Sequence, residues 1–271
     1  MMNSDTMLSV SCILLGLWGM LNASQWFASS AHWRAEAALG WDLQGLRSSR
    51  LYGGRWLALA FAPLVFPIIR SLHFAASLLL CLLPIGWGAF AALFILAVTH
   101  VLLILRSYAD GGDKMALVVA YGLLLQMLGA VAAQPLLSLA GVLWVGGQLT
   151  LSYATSGFGK LILAGWRNGS VPRDVLSSFL YGNFLTHILV KHRIIALTLA
   201  RGTILIESLF PLALLAPMPV LIAAFGGMAL LHLSIAFAMG LNTYTFAFVA
   251  AYPSVFLLAQ VLQSFKWSNL L

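Results

Sequence analysis

Apolar stretches about as long as a bilayer is thick follow one another along nearly the whole chain. A membrane-spanning helix needs roughly 20 mainly apolar residues, and successive segments approach or exceed that length. Only 8% of the 271 residues are charged, whereas a soluble domain carries roughly 25%. The pattern predicts an all-α, polytopic transmembrane bundle of eight to ten helices. The candidate spans are 7–28, 51–70, 72–86, 88–106, 115–133, 136–165, 174–190, 194–217, 219–239 and 241–263.

The sequence contains no long linker, so we expect a single integral membrane domain over 1–271. The longest polar stretch, 29–50, alternates tryptophan and leucine with charged residues, which is typical of a helix lying at the membrane interface. An ordinary connecting loop is the alternative. The short apolar pieces beside 84–88 (PIGWG) are either half-spans or one broken element. The first apolar segment lacks a basic leader, and we expect a retained helix rather than a signal peptide.

Composition also argues against several classes of function. The net charge of +7 is spread over loops and helix ends, where basic residues of membrane proteins meet the cytoplasm or anionic lipid, so no nucleic-acid partner is implied. Cys12 and Cys81 lie in apolar runs and indicate neither a disulfide framework nor a metal site. The sequence has no Walker loop, HExxH, GxSxG or CxxC. The expected partner is the lipid bilayer.

Lys160 is the one charge between Pro135 and Trp166. A charged residue at membrane depth costs about 2.5–3.5 kcal/mol on insertion scales and usually faces an interior site. Tyr153 and Gly157 precede it by seven and three residues, on the same helical face. A desolvated, neutral amine there could act as a base. The alternative is a lysine that snorkels to the interface, since Trp166 marks a nearby boundary.

Glu207 and His232 are further ionisable residues inside predicted spans. Glu207 must become protonated, meet a partner on another helix or face water, and a structural hydrogen bond is the favoured interpretation. His232 precedes Asn242 and Tyr244 closely, so all three are predicted to line one cavity. A satisfied structural histidine is the alternative for His232, and His100 is interpreted as structural.

Three sequence pieces together resemble the bacterial HTTM (horizontally transferred transmembrane) proteins, relatives of the membrane domain of vitamin K-dependent gamma-glutamyl carboxylase. The likeness covers roughly 100–260. The first piece is Y-x-x-x-G-x-x-K-L followed by W-x-x-G, at Tyr153, Gly157, Lys160, Leu161, Trp166 and Gly169. The second is H-x(7)-G-x-N-x-Y-x-F, at His232, Gly240, Asn242, Tyr244 and Phe246. The third is the turn RSYADGGDKM, at 106–115.

The resemblance implies a membrane enzyme that oxygenates a reduced isoprenoid quinone, such as menaquinone or vitamin K, to generate a base that deprotonates its substrate. It places Lys160 as the general base that activates the quinol. It also places His232 near the histidine segment of the quinone pocket, although the spacing to the following glycine differs. The residues expected to bind the cofactor are Tyr153, Gly157, Trp166, Asn242 and Tyr244, and no metal is implied.

The chain departs from the carboxylase in size, because 271 residues leave no room for the large lumenal part that grips a protein substrate. Some HTTM proteins accompany genes for making and exporting antimicrobial peptides. An alternative function is therefore a non-catalytic accessory or transport protein for a hydrophobic peptide or lipid. A further alternative is a subunit that works with a partner membrane protein, its polar residues serving helix packing. The resemblance to bacterial proteins predicts the inner (cytoplasmic) membrane.

Overall fold

The structure, a computed structural model, describes residues 4–29, 62, 64–106, 109–178, 181 and 183–268. The described residues form helices joined by short turns and contain no strand, which confirms the all-α prediction. The helices are α1 (Ser4–Ala28), α2 (Val65–Leu82), α3 (Trp87–Arg106), α4 (Gly111–Val131), α5 (Pro135–Ile162), α6 (Ala164–Arg167), α7 (Ser170–Leu176), α8 (Phe184–Leu189), α9 (Arg193–Ala213), α10 (Met218–Met239), α11 (Asn242–Val249) and α12 (Tyr252–Ser268).

Eight helical segments of the described chain are long and apolar enough to cross a membrane, as judged by length and composition. They are α1 to α5, α9, α10 and the segment Asn242–Ser264, which joins α11 to most of α12. This count lies within the predicted range of eight to ten. Many large apolar side chains on these helices are exposed, as the lipid-facing sides of membrane helices require.

The chain divides into two compact units, Met1–Gly141 and Val142–Leu271, called unit 1 and unit 2 below. In unit 1, α1 packs against α2 and α4, and α3 packs against α2 and α4. Gly19 of α1 lies directly against Ser77 of α2, where a Cβ atom would collide with the serine side chain. A small residue at this point lets the two helices approach closely, as is common between membrane helices. The prediction of one membrane domain over 1–271 stays a prediction.

One predicted boundary between spans is absent from the structure of unit 1. Helix α2 runs without interruption through residues 70–72, where the sequence was divided into two spans. The polar Arg70 does not end the helix, because its side chain is buried and donates from Nη1 to the Trp26 carbonyl at 2.9 Å. The predicted interfacial helix at 29–50 and the predicted span at 51–70 lie mostly outside the described residues. The turn at 84–88 separates α2 from α3, as its proline and glycines predict, but each of these helices is long enough to span a membrane, so they are neither half-spans nor one broken element.

In unit 2 the predicted span at 174–190 is wrong. The chain there forms two short helices, α7 and α8. Ser177 and Ser178 donate their hydroxyls back to the carbonyls of Arg173 and Val175, which ends α7. Asn183 then caps α8 through a reciprocal pair of hydrogen bonds with Thr186. Local side-chain bonding therefore overrides the apolar composition. Helix α9 packs against α6, α7 and α10, and α10 packs against α11.

Candidate functional site

The lysine that is conspicuous in the sequence forms an ion pair inside unit 2. Nζ of Lys160, on α5, lies 2.5 Å from Oε2 of Glu207, on α9, and also donates to the Ser156 hydroxyl one helical turn earlier. The exposed fractions of the two charged side chains are only 17% and 10%. The ammonium also lies 5.1 Å from the centre of the Trp166 ring, within the range of a cation–π contact. Lys160 therefore points to a partner on another helix instead of snorkelling to the interface.

A glycine allows the two helices to approach closely enough for this pair to form. A Cβ atom on Gly157 would collide with the backbone nitrogen and the hydroxyl of Ser208, next to Glu207. Gly159, two residues further along α5, has open space where a Cβ atom would stand. A glycine is therefore required at position 157, whereas a larger residue would fit at position 159. The close crossing positions the lysine ammonium opposite the carboxylate.

A cluster of rings lies further along the same face of α5. The hydroxyl of Tyr153 is 2.8 Å from Nε2 of His232, on α10, and both side chains are buried. Tyr153 also meets Phe210 edge-on, with ring centroids 4.7 Å apart. His232 lies 4.2 Å from Phe248, which stacks on Tyr244 at 4.8 Å. Phe210 follows Glu207 by one turn of α9, and Tyr153 lies on the same face of α5 as Lys160. The ring cluster and the ion pair therefore both include residues of α5 and α9.

The hydrogen bond between Tyr153 and His232 can be tested separately. Tyr153→Phe keeps the ring packing and removes the hydroxyl, so Nε2 of His232 loses a buried partner. We expect the free energy of unfolding to fall by about 1–3 kcal/mol, the cost of leaving a buried polar group unsatisfied. Unfolding in mixed detergent micelles measures the change. Tyr181→Phe is the matched control, because Tyr181 is 40% exposed, and it should change stability by less than about 0.5 kcal/mol.

The structure brings together most of the residues that the sequence singled out, and leaves one apart. Lys160 belongs to the ion pair, Gly157 and Trp166 lie beside it, and Tyr153, His232 and Tyr244 belong to the ring cluster. Asn242 is the first residue of α11 and its side chain is exposed, so the predicted cavity shared by His232, Asn242 and Tyr244 is not formed by all three. Residues that contribute to the site but were missed by the sequence analysis are Ser208, Phe210 and Phe248. Only an apolar or small side chain marks them, and no local pattern distinguishes them from ordinary core residues.

An apolar groove of about 410 Å³ lies beside the crossing of α5 and α9. Its lining is Phe158, Leu161, Ile204, Leu205, Ser208, Leu209, Pro211 and Leu212. Ser208 brings the one polar side chain, and its buried hydroxyl has no hydrogen-bond partner among the described residues. Pro211 lies within α9 and has no N–H to donate to the Glu207 carbonyl four residues earlier. The surface of the groove is almost entirely apolar, so the groove is suited to a hydrocarbon chain.

Comparisons of the chain with protein-family models, curated proteins and solved structures return no match. The class of protein follows from the fold: the described residues include eight helices able to span a bilayer, which make this a polytopic helical membrane protein. The chemistry of its site rests on the chain's own residues. These are a buried ion pair, a hydrogen-bonded ring cluster and an apolar groove beside the helix crossing.

Proposed function

We propose that the chain is an HTTM-like membrane enzyme that binds a reduced isoprenoid quinone in unit 2, with the Lys160–Glu207 pair as its proton acceptor. The observation that carries the proposal is the ion pair itself. Ionisable side chains inside membrane segments are costly and commonly mark substrate or proton pathways. This pair is largely withdrawn from solvent and held at the point where two apolar helices cross.

The protonation state of the pair decides which atom can act as the base. In the ionic form Lys160 uses its hydrogens to donate to Ser156 and Glu207, and its nitrogen has no lone pair to offer. A proton that moves from Lys160 to Glu207 leaves a neutral amine beside a neutral acid. In either form the pair accepts one proton in total and changes from net charge zero to +1. The base is therefore the pair, and Lys160 acts with Glu207 rather than alone.

Three residues of unit 2 support a quinone head group as the ligand. A reduced quinone supplies an acidic hydroxyl and a reductant for oxygen. Tyr244 and Trp166 present aromatic rings of the kind that stack on flat ligands. Nδ1 of His232 is buried and has no hydrogen-bond partner among the described residues, so it can bind a ligand oxygen or hydroxyl. The groove along α9 offers an apolar path for an isoprenoid tail.

Oxygen uptake with added reduced menaquinone tests the proposed chemistry. We expect quinol-dependent uptake by the purified protein in lipid nanodiscs. Lys160→Arg should keep the ion pair with Glu207 but place a permanently protonated group there. Since general-base catalysis contributes about 10²–10⁴-fold, the rate should fall by about 100-fold or more if the proton must reach the Lys160 nitrogen. A rate that survives in Lys160→Arg and is lost in Glu207→Gln would place the base on the carboxylate.

Lys191→Arg is the matched control for this substitution, because Lys191 belongs to the same unit and its side chain is exposed. It should leave the rate unchanged. Wild-type protein that takes up no oxygen with any reduced quinone would contradict the enzyme proposal. Oxygen uptake at the wild-type rate in both Lys160→Arg and Glu207→Gln would show that the ion pair takes no part in the reaction.

The apolar groove favours a second candidate, a non-catalytic protein that handles a hydrophobic peptide or lipid. Its lining is almost entirely hydrocarbon, and five of its side chains are large and exposed: Phe158, Leu161, Leu205, Leu209 and Leu212. In this case a lipid or peptide should co-purify with the protein, and Leu205→Trp, which narrows the groove, should displace it. Substitution of Lys160 by arginine should then leave the bound molecule in place.

A further inference from the structure

Unit 1 contains a second buried polar cluster, which plays no part in the proposed quinol chemistry. The rings of Trp18, His73 and His100 come from α1, α2 and α3 and lie against one another. The ring centroids are 4.5 Å apart for Trp18 and His100, and 5.8 Å apart for each of the other two pairs. The exposed fractions of the three residues are 1%, 0% and 3%. His73 was not singled out by the sequence, and His100 was interpreted as an isolated structural residue.

Hydrogen bonds to neighbouring groups determine which nitrogen of each neutral imidazole carries the hydrogen. Nε2 of His100 lies 3.0 Å from the carbonyl oxygen of Asp113, which can only accept, so Nε2 is the protonated nitrogen. Nδ1 of His73 lies 2.9 Å from the hydroxyl of Thr99. That hydroxyl donates its own hydrogen to the backbone carbonyls of Ile95 and Leu96, so it accepts from Nδ1 of His73. The lone pairs are therefore on Nε2 of His73 and Nδ1 of His100.

Both of these lone-pair nitrogens are buried and have no hydrogen-bond partner in the described part of the chain. The indole N–H of Trp18, whose ring contacts both imidazoles, is likewise buried and without a partner there. The cluster thus presents two acceptors and one donor, all withdrawn from solvent. Buried polar atoms of this kind are normally satisfied, and a bound water typically makes about three hydrogen bonds to such groups.

We propose that Trp18, His73 and His100 form a binding site for a water molecule inside unit 1. The water donates one hydrogen to Nε2 of His73 and the other to Nδ1 of His100, and it accepts the indole N–H of Trp18. This arrangement satisfies all three unpartnered atoms with one ligand. It also joins two neutral imidazoles through a water within a membrane unit, and such chains can pass a proton.

A metal ion fits this set of atoms less well than water does. Two imidazole lone pairs could ligate a cation, but a cation cannot accept a hydrogen bond from the Trp18 N–H, whereas a water can. No group of three or more His, Cys, Asp or Glu side chains able to hold a metal occurs among the described residues. The Asp113 side chain is also engaged, since it accepts from the Asn22 amide and from the backbone N–H of Asp110.

Magic-angle-spinning NMR of the full chain in lipid bilayers, labelled with ¹⁵N-histidine, tests the proposal. We expect His73 to be protonated on Nδ1 and His100 on Nε2, with the other nitrogen of each receiving magnetisation from water protons. His73→Phe and His100→Phe assign the signals by their loss. Trp18→Phe, which keeps a ring and both histidines, should reduce the transfer from water to both nitrogens. His232→Phe, in unit 2, is the control and should leave these signals in place.

Three results would overturn the proposal. The first is correct tautomers with no transfer from water. The second is a doubly protonated His73 that donates directly to His100 without a water between them. The third is one equivalent of a transition metal in the purified protein, measured by elemental analysis and lost in His73→Phe. None of these outcomes depends on whether unit 2 binds a quinone.

Discussion

Lys160→Met is expected to lower the free energy of unfolding by about 3–5 kcal/mol, because it leaves the buried carboxylate of Glu207 without its cation. The methionine side chain is apolar and similar in length to lysine, so the loss of stability comes from the missing charge rather than from a change in packing. Unfolding in mixed micelles, followed by tryptophan fluorescence or circular dichroism, measures the difference from the wild type.

The double variant Lys160→Met/Glu207→Leu should recover most of this loss. Replacing both partners of a buried ion pair by apolar residues of similar size is often neutral or stabilising. Together with Glu207→Leu alone, the double variant completes a double-mutant cycle that isolates the energy of the pair. A double variant that loses the full sum of the two single losses would contradict the ion pair as the main contact of either residue.

Gly157→Ala is expected to have the second large effect, a loss of about 1–3 kcal/mol of stability from overpacking. The added methyl group would meet the Ser208 backbone nitrogen, so α9 must move and cannot simply change a rotamer. Movement of α9 separates Lys160 from Glu207, and we therefore expect any activity that needs the pair to fall as well. The same unfolding measurement, paired with the oxygen-uptake assay, gives both quantities.

Gly159→Ala supplies a matched control on the same helix. It adds the same methyl group two residues away, into open space. Alanine is the better helix former by about 0.5–1 kcal/mol, so stability should stay level or rise slightly. If Gly159→Ala were as damaging as Gly157→Ala, a general intolerance of α5 to an added methyl group would explain both results, and the close crossing at Gly157 would not.

Several features of the site could be predicted from the sequence because they depend on spacing along one helix. The rarity of charge predicts membrane helices, and within α5 the spacing of Tyr153, Gly157 and Lys160 places them on one face. For Glu207 the cost of a charge in lipid left three alternatives, which were protonation, a partner on another helix or contact with water. In the structure Glu207 meets a partner on another helix, Lys160.

Other features depend on contacts that a local pattern does not contain. Lys160 and Glu207 are 47 residues apart, and Tyr153 and His232 are 79 apart. No spacing rule links residues so distant, so which polar groups meet is decided by how the helices pack. The cluster of Trp18, His73 and His100 in unit 1 could not be predicted for the same reason, because its three rings come from three helices. The short helices at 170–189 show the opposite case, where serine and asparagine side chains override an apolar run.

Mass spectrometry of the lipids retained by purified protein tests the central claim most directly. Wild type and the stability-matched Lys160→Met/Glu207→Leu variant should be compared after the same gentle extraction. If the ion pair and its neighbouring rings bind the quinone head group, about one quinone per chain should remain on the wild type and little or none on the double variant. Equal quinone in both, or none in either, would contradict the proposed quinol site.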